Sequence, residues 1–174
     1  IASSACLSGK LDRLLLDGNF EAACAHAREM ESIFGKGNYF VEIMDHNIED
    51  EKRVVPLLVQ VSRETGIPLI ATNDCHYLTR EDADAQEVLM CIQTGKTLDD
   101  TNRMRMETRE LYAKSEEEMR RVFPEYAEAI ERTEEIAKRC HVDFVFGETK
   151  LPRFPTEAGE TSEQMFRRLC EKGL

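Results

Sequence analysis

No CxxC pair occurs among the six cysteines of this 174-residue chain, which stand at 6, 24, 75, 91, 140 and 170. Their spacings match neither a zinc finger nor a small disulfide framework. No apolar run approaches the roughly 20 residues that cross a membrane, and no secretory signal is present. Basic charge is in deficit, with 23 Lys and Arg against 34 Asp and Glu and a net charge of -11. A surface of that sign repels phosphate, so the chain as a whole is not a nucleic-acid-binding face, although a local basic patch is not excluded. Gly35-Lys36-Gly37 and Gly95-Lys96-Thr97 look superficially like phosphate loops. Both lack the GxxxxGK[ST] spacing between a strand and a helix. These absences point to a reducing, cytoplasmic setting, with Cys24, Cys91, Cys140 and Cys170 read as small buried hydrophobes in helical patterns.

What is present is an ordinary soluble composition, 41% hydrophobic and 33% charged, long enough for one domain with a substantial core. The chain begins at Ile1 without a Met and ends at Leu174 just behind a helical pattern, which reads as a segment of something longer. Ile1 to Ser4 is small and apolar, and Ala5 to Gly9 reads as a strand end turning into a helix near Lys10 that carries Leu11, Leu14 and Leu15. Asn19 caps a second helix, and Tyr39 to Met44 is an aromatic, β-branched strand. A helix runs from about Glu49 to Thr65, with Pro56 predicting a kink or an early turn. The next helix, entered through Thr79 and Asp82, carries Ala85, Val88, Leu89 and Ile92 and stops at Gly95. Strand, helix, strand, helix, strand, helix over residues 1–95 is the signature of βαβ units around a parallel sheet. Beyond it the spacing predicts a short strand at Glu110 to Ala113, a helix capped by Ser115 and Glu118, and a helix opened by Pro124. A brief strand at Phe144 to Phe146, an extended linker at Pro152 to Pro155, and a last helix capped by Ser162 follow.

The chemistry concentrates in Ile67 to Leu78, a short apolar run that closes on Asp74 and His76. Side chains alternate along a strand, so these two leave on one face at its carboxyl end, where α/β proteins build their sites. They read as a pair of metal ligands or an acid/base couple; the plainer reading is a capping Asp beside a half-exposed His. Asp45 and His46 end the preceding strand as a helix-capping loop or the rim of the same pocket, and His26 and His141 read as structural. Arg103, Arg105 and Arg109 lie close enough together to meet phosphates or an acidic partner, or else form salt bridges within an acidic protein. Asp99-Asp100 reads as a solvated turn.

Ala71-Thr72-Asn73-Asp74-Cys75-His76-Tyr77-Leu78, followed by Cys91-Ile92-Gln93-Thr94-Gly95-Lys96, resembles the PHP (polymerase and histidinol phosphatase) domain of bacterial DNA polymerase III alpha subunits. Ser4 to Gly9, Tyr39 to Asp45 and Glu110 to Met119 agree in order and spacing, and Leu151 to Leu174 resembles the entry to the polymerase palm. The resemblance implies an α/β fold that is part of a distorted (β/α) barrel, with residues 1–147 as the C-terminal part of the PHP domain. Residues 148–174 would be a linker and the first palm helix. It implies Cys6, Asp74 and His76 as metal ligands, although Cys6 reads equally as a thiol in a tight strand-to-helix turn. The implied ions are zinc, manganese or magnesium in this site, with magnesium in a palm whose catalytic aspartates lie outside the sequence. Implied activities are template-directed DNA synthesis and a 3′–5′ exonuclease in the PHP part; the alternative is a scaffold that docks a separate proofreading nuclease. A free-standing phosphoesterase fits less well with the palm-entry tail. Primer-template DNA, deoxynucleotides, a sliding clamp and a proofreading nuclease are the implied partners, with no membrane.

Overall fold

In a computed structural model, all residues are described except 149, 150, 153, 157 and 158. The chain divides into two compact units, Ile1–Cys140 and His141–Leu174. The first is α/β, with a three-stranded sheet in the order β1-β2-β3, where β1 is Ala2–Ser3, β2 Tyr39–Ile43 and β3 Leu69–Ala71. Both pairings are parallel, with Ala2 opposite Tyr39 and Val41 opposite Leu69. Parallel neighbours require crossovers. Helices α1 (Lys10–Leu16) and α2 (Phe20–Phe34) supply the first, and α3 (Glu49–Thr65) the second. The three strands therefore deliver their carboxyl ends to one edge, and the turns after β1, β2 and β3 form a continuous ledge.

Every residue of β2 is buried, as a central strand covered on both faces demands. Leu11 and Leu15 of α1, Ala23 and Ala27 of α2, and Val54, Leu58 and Val61 of α3 pack around Tyr39, Val41 and Ile43. Asn19 caps α2 by accepting the Ala22 amide at 3.3 Å. Helix α3 runs unbroken through Pro56, which excludes an early turn. Pro56 lies on the exposed side of the helix, where its ring displaces no core side chain.

A 3₁₀ turn at Arg80–Asp82 leads into α4 (Ala83–Thr94), and Gly95 ends α4 in the left-handed conformation. Helix α4 corrects the sequence reading: it buries Ala83, Met90 and Cys91, whereas Val88, Leu89 and Ile92 are exposed. The strand expected at Glu110 to Ala113 is a single parallel bridge between Tyr77 and Tyr112. Helices α5 (Glu116–Val122) and α6 (Ala127–Arg139) follow, α5 opened by the Ser115–Glu118 capping box. Helix α6 packs on β3, and the Arg132 guanidinium donates to the Leu69 carbonyl, a group β2 does not use. That contact protects the outer edge of β3.

In the second unit, Phe144 to Phe146 is irregular and exposed rather than a strand. The expected linker includes Arg153, which lies outside the described residues. Helix α7 (Ser162–Gly173) is capped by Thr161, one residue earlier than the sequence suggests, because Gln164 completes the reciprocal box with Thr161. Cys140 and Cys170 are exposed, unlike the buried Cys24 and Cys91. No described helix is long and apolar enough to cross a membrane.

Candidate metal centre

The turn after β1 is tight. Ala5 takes φ of 66°, and the Gly9 amide donates to the Cys6 carbonyl at 2.6 Å. A Cβ at Gly9 would lie 2.6 Å from the Ser4 carbonyl oxygen and 2.9 Å from that of Cys6, so only glycine fits. Cys6 sits half-buried in this turn. The turn is tied to β2 by Glu42, whose buried carboxylate accepts from Ser3 Oγ at 2.5 Å and from the Ala5 amide at 3.2 Å. Thr72, just past β3, donates its hydroxyl to the other oxygen of Glu42. One carboxylate on the middle strand thus joins the ends of all three.

Behind it, Asp12 of α1 is only 3% exposed, and its Oδ1 has no hydrogen-bond partner. Burial first, then the neighbouring carboxylates of Glu42 and Glu51, push its pKa up to about 7.

After β2 the chain reaches His46, with 1% of the residue exposed. Its Nδ1 lies 2.8 Å from Glu51 Oε1, and its own amide donates to Glu51 Oε2 at 2.6 Å. Its Nε2 accepts the backbone N–H of Asp74 at 3.0 Å. Thr108 Oγ1 donates to the His46 carbonyl at 2.6 Å, bringing in the segment before α5.

After β3, Asp74 Oδ2 and His76 Nε2 stand 3.1 Å apart, with their side chains 50% and 34% exposed. The two side chains meet as the sequence pattern predicts, but from a loop, since β3 ends at Ala71. The loop is braced on its far side: the His76 amide donates to the Leu111 carbonyl at 2.8 Å, and Asn73 Nδ2 donates to the Tyr112 carbonyl at 2.5 Å. Lys114 reaches Asn73 Oδ1 at 3.2 Å and lies over the Tyr112 ring, 4.5 Å from its centroid. Desolvation lowers the Lys114 pKa, with Glu110 opposing.

Cys6 does not join this pair. Among the described residues no three His, Cys, Asp or Glu side chains gather as a metal-holding group. The sheet order supplies the reason: β2 separates β1 from β3, so their ends start about 10 Å apart, two strand spacings. Arg103 and Arg109 both turn to α4. Arg103, with a side chain 5% exposed, reaches Glu87 at 2.7 Å, and Arg109 forms a fork on Asp84 at 2.7 and 3.0 Å. Arg105 is exposed. The residues that sequence reasoning underrated are Glu42, His46 and Lys114. The available signal was a Glu inside an otherwise apolar strand, and a Glu five residues beyond a strand-end His.

A PHP domain model matches residues 1–46. Over 176 residues the chain is 43% identical to the DNA polymerase III subunit alpha of Treponema pallidum (strain Nichols), covering all of this chain and 15% of the relative. The corresponding protein of Thermus aquaticus is 40% identical over 180 residues, again all of this chain and 15% of the relative. That of Borreliella burgdorferi is 44% identical over 140 residues, 80% of this chain and 12% of the relative. The chain therefore spans about a seventh of the length of the first two relatives.

Proposed function

The chain is homologous along its full length to one segment of the bacterial DNA polymerase III alpha subunit, and on that premise we propose that it serves template-directed DNA synthesis as the PHP-type part of a replicative polymerase. The observation that carries this is identity of 43% sustained over the whole chain. In that setting the polymerising magnesium ions and their aspartates belong to a palm beyond these residues, and residues 148–174 are the approach to it. Primer-template DNA, deoxynucleotides, a sliding clamp and a proofreading nuclease are the partners of such a protein, and the cytoplasm is its compartment.

For the ledge itself, the reading is a divalent-metal site with Asp74 and His76 as ligands. A separation of 3.1 Å suits two donors that each bind one ion at about 2 Å, and carboxylate with imidazole suits zinc or manganese. The pair fills two positions of a coordination shell. Cys6, on the same ledge two strands away, completes it only through movement of its turn or through donors from elsewhere. A divalent ion bound there supplies Lewis-acid chemistry to a phosphodiester, which is the basis for a 3′–5′ exonuclease role. Asp74 and His76 act as holders, not as the base. Their half-exposed position leaves a DNA end free to approach.

The test is a titration of Zn²⁺ into the wild type, Asp74→Ala and His76→Ala, with trimming of a labelled primer by the full-length polymerase as second readout. Binding and trimming that both disappear in the variants support the site. A specific observation favours a second reading, a scaffold: Glu42, bonded to Thr72, and His46, bonded to the Asp74 amide, are fully engaged inside the protein. Unchanged trimming in Asp74→Ala decides for it.

A further inference from the structure

We propose that His46 is the positioning residue of the Asp74–His76 pair, its imidazole fixed in the Nδ1–H tautomer by Glu51 so that Nε2 remains an acceptor for the backbone of Asp74. A main-chain amide is an obligatory donor, so the ring nitrogen 3.0 Å from the Asp74 N–H presents a lone pair. The ring proton then lies on Nδ1, where Glu51 Oε1 receives it at 2.8 Å. Glu51 is itself held: its second oxygen takes the His46 amide at 2.6 Å, and it stands in the first turn of α3, where a carboxylate is favoured. If Glu51 swung away, two buried donors would lose their acceptors at once. With Thr108 on the carbonyl, every polar group of His46 is engaged and none is available for a ligand.

The consequence falls on the neighbouring loop. The Asp74 N–H is one bond from the Cα that bears the carboxylate, so anchoring it restricts where Oδ2 is carried. The His76 amide, bound to the Leu111 carbonyl, fixes the other end. Backbone groups are thereby held while the two side chains face each other, half-exposed. A histidine that merely fills space would accept from any nearby donor. This one accepts from the main chain of a candidate ligand. The functional half of the proposal rests on the metal reading; the anchoring half does not.

Long-range ¹⁵N–¹H correlation spectra of the chain read the tautomer directly, and the expected pattern for His46 is a proton on Nδ1 and a bare Nε2. Glu51→Gln, which offers one acceptor where two are needed, is the variant of choice because it preserves volume. It is expected to speed exchange of the Asp74 amide at least about tenfold while the Val41 and Ile43 amides stay unchanged, and to weaken Zn²⁺ binding by about 10- to 100-fold. A proton on Nε2 in the wild type overturns the proposal. So does Asp74 exchange that rises only in step with Val41. Wild-type Zn²⁺ affinity in Asp74→Ala removes the metal reading and the functional half with it, and the exchange result then decides the anchoring half alone.

Discussion

His46 and His76 sit at the ends of neighbouring parallel strands, each close behind an aspartate, and the fold treats them oppositely. His46 is enclosed, with both ring nitrogens and both main-chain groups engaged across three segments. His76 shows a third of its side chain to solvent and touches one carboxylate. The difference follows from what each strand is flanked by. β2 is the central strand, and its end-loop is covered by α3, by the loop after β3 and by the segment at Thr108; β3 has β2 on one side only, and its loop leans outward toward Leu111 and Tyr112. Identical side-chain chemistry becomes internal bracing in one place and an accessible donor in the other.

The sharpest test of that contrast is a pair of substitutions. His46→Ala removes the ring donor to Glu51 Oε1 and the acceptor of the Asp74 amide and opens a cavity, for an expected loss of about 3–5 kcal/mol in urea unfolding. His76→Ala, at a half-exposed position, is expected to change stability by no more than about 0.5 kcal/mol. Equal losses at the two positions would erase the distinction. Next in size, Glu42→Ala removes the acceptor shared by Ser3, Ala5 and Thr72 and is expected to cost about 2–4 kcal/mol by the same measurement.

Acidity probes the enclosed side separately. Asp12 holds its proton up to about pH 7 in the folded chain and only to about 3.8 when unfolded. Between those values the folded state binds the extra proton, so this group's stabilising contribution is complete below 3.8 and disappears as the pH rises through 7. The difference in stability between wild type and Asp12→Asn, followed from pH 4 to 8 in urea, is expected to move against the wild type by a few kcal/mol. A flat difference would show Asp12 to be ionised throughout. Last, Arg109→Ala is expected to leave the thermal midpoint unchanged, because its fork with Asp84 is solvent-exposed.

Much of the ledge was legible because strand periodicity is local. The apolar run before Asp74, the aromatic strand at Tyr39, and the caps at Asn19, Ser115 and Gly95 all depend on residues a few positions apart. The meeting of Asp74 with His76 was expected from strand alternation, but β3 ends at Ala71 and a loop brings the two together. What was not legible depends on long-range partners. The stripe Val88, Leu89 and Ile92 has the spacing of a core face, yet helical spacing alone does not say which apolar side finds a partner, and α4 buries Met90 and Cys91 instead. The distance of Cys6 from Asp74 depends on strand order, which no pattern along the chain encodes. His46 announced itself weakly, since its four bonds run to residues 51, 74 and 108.

Because one carboxylate on the middle strand fastens three strand ends from beneath, the rim above it is free to change independently of the foundation. Drift at positions 74 and 76 would reshape the exposed rim without loosening how the molecule stands, provided the glutamate at 42 is kept.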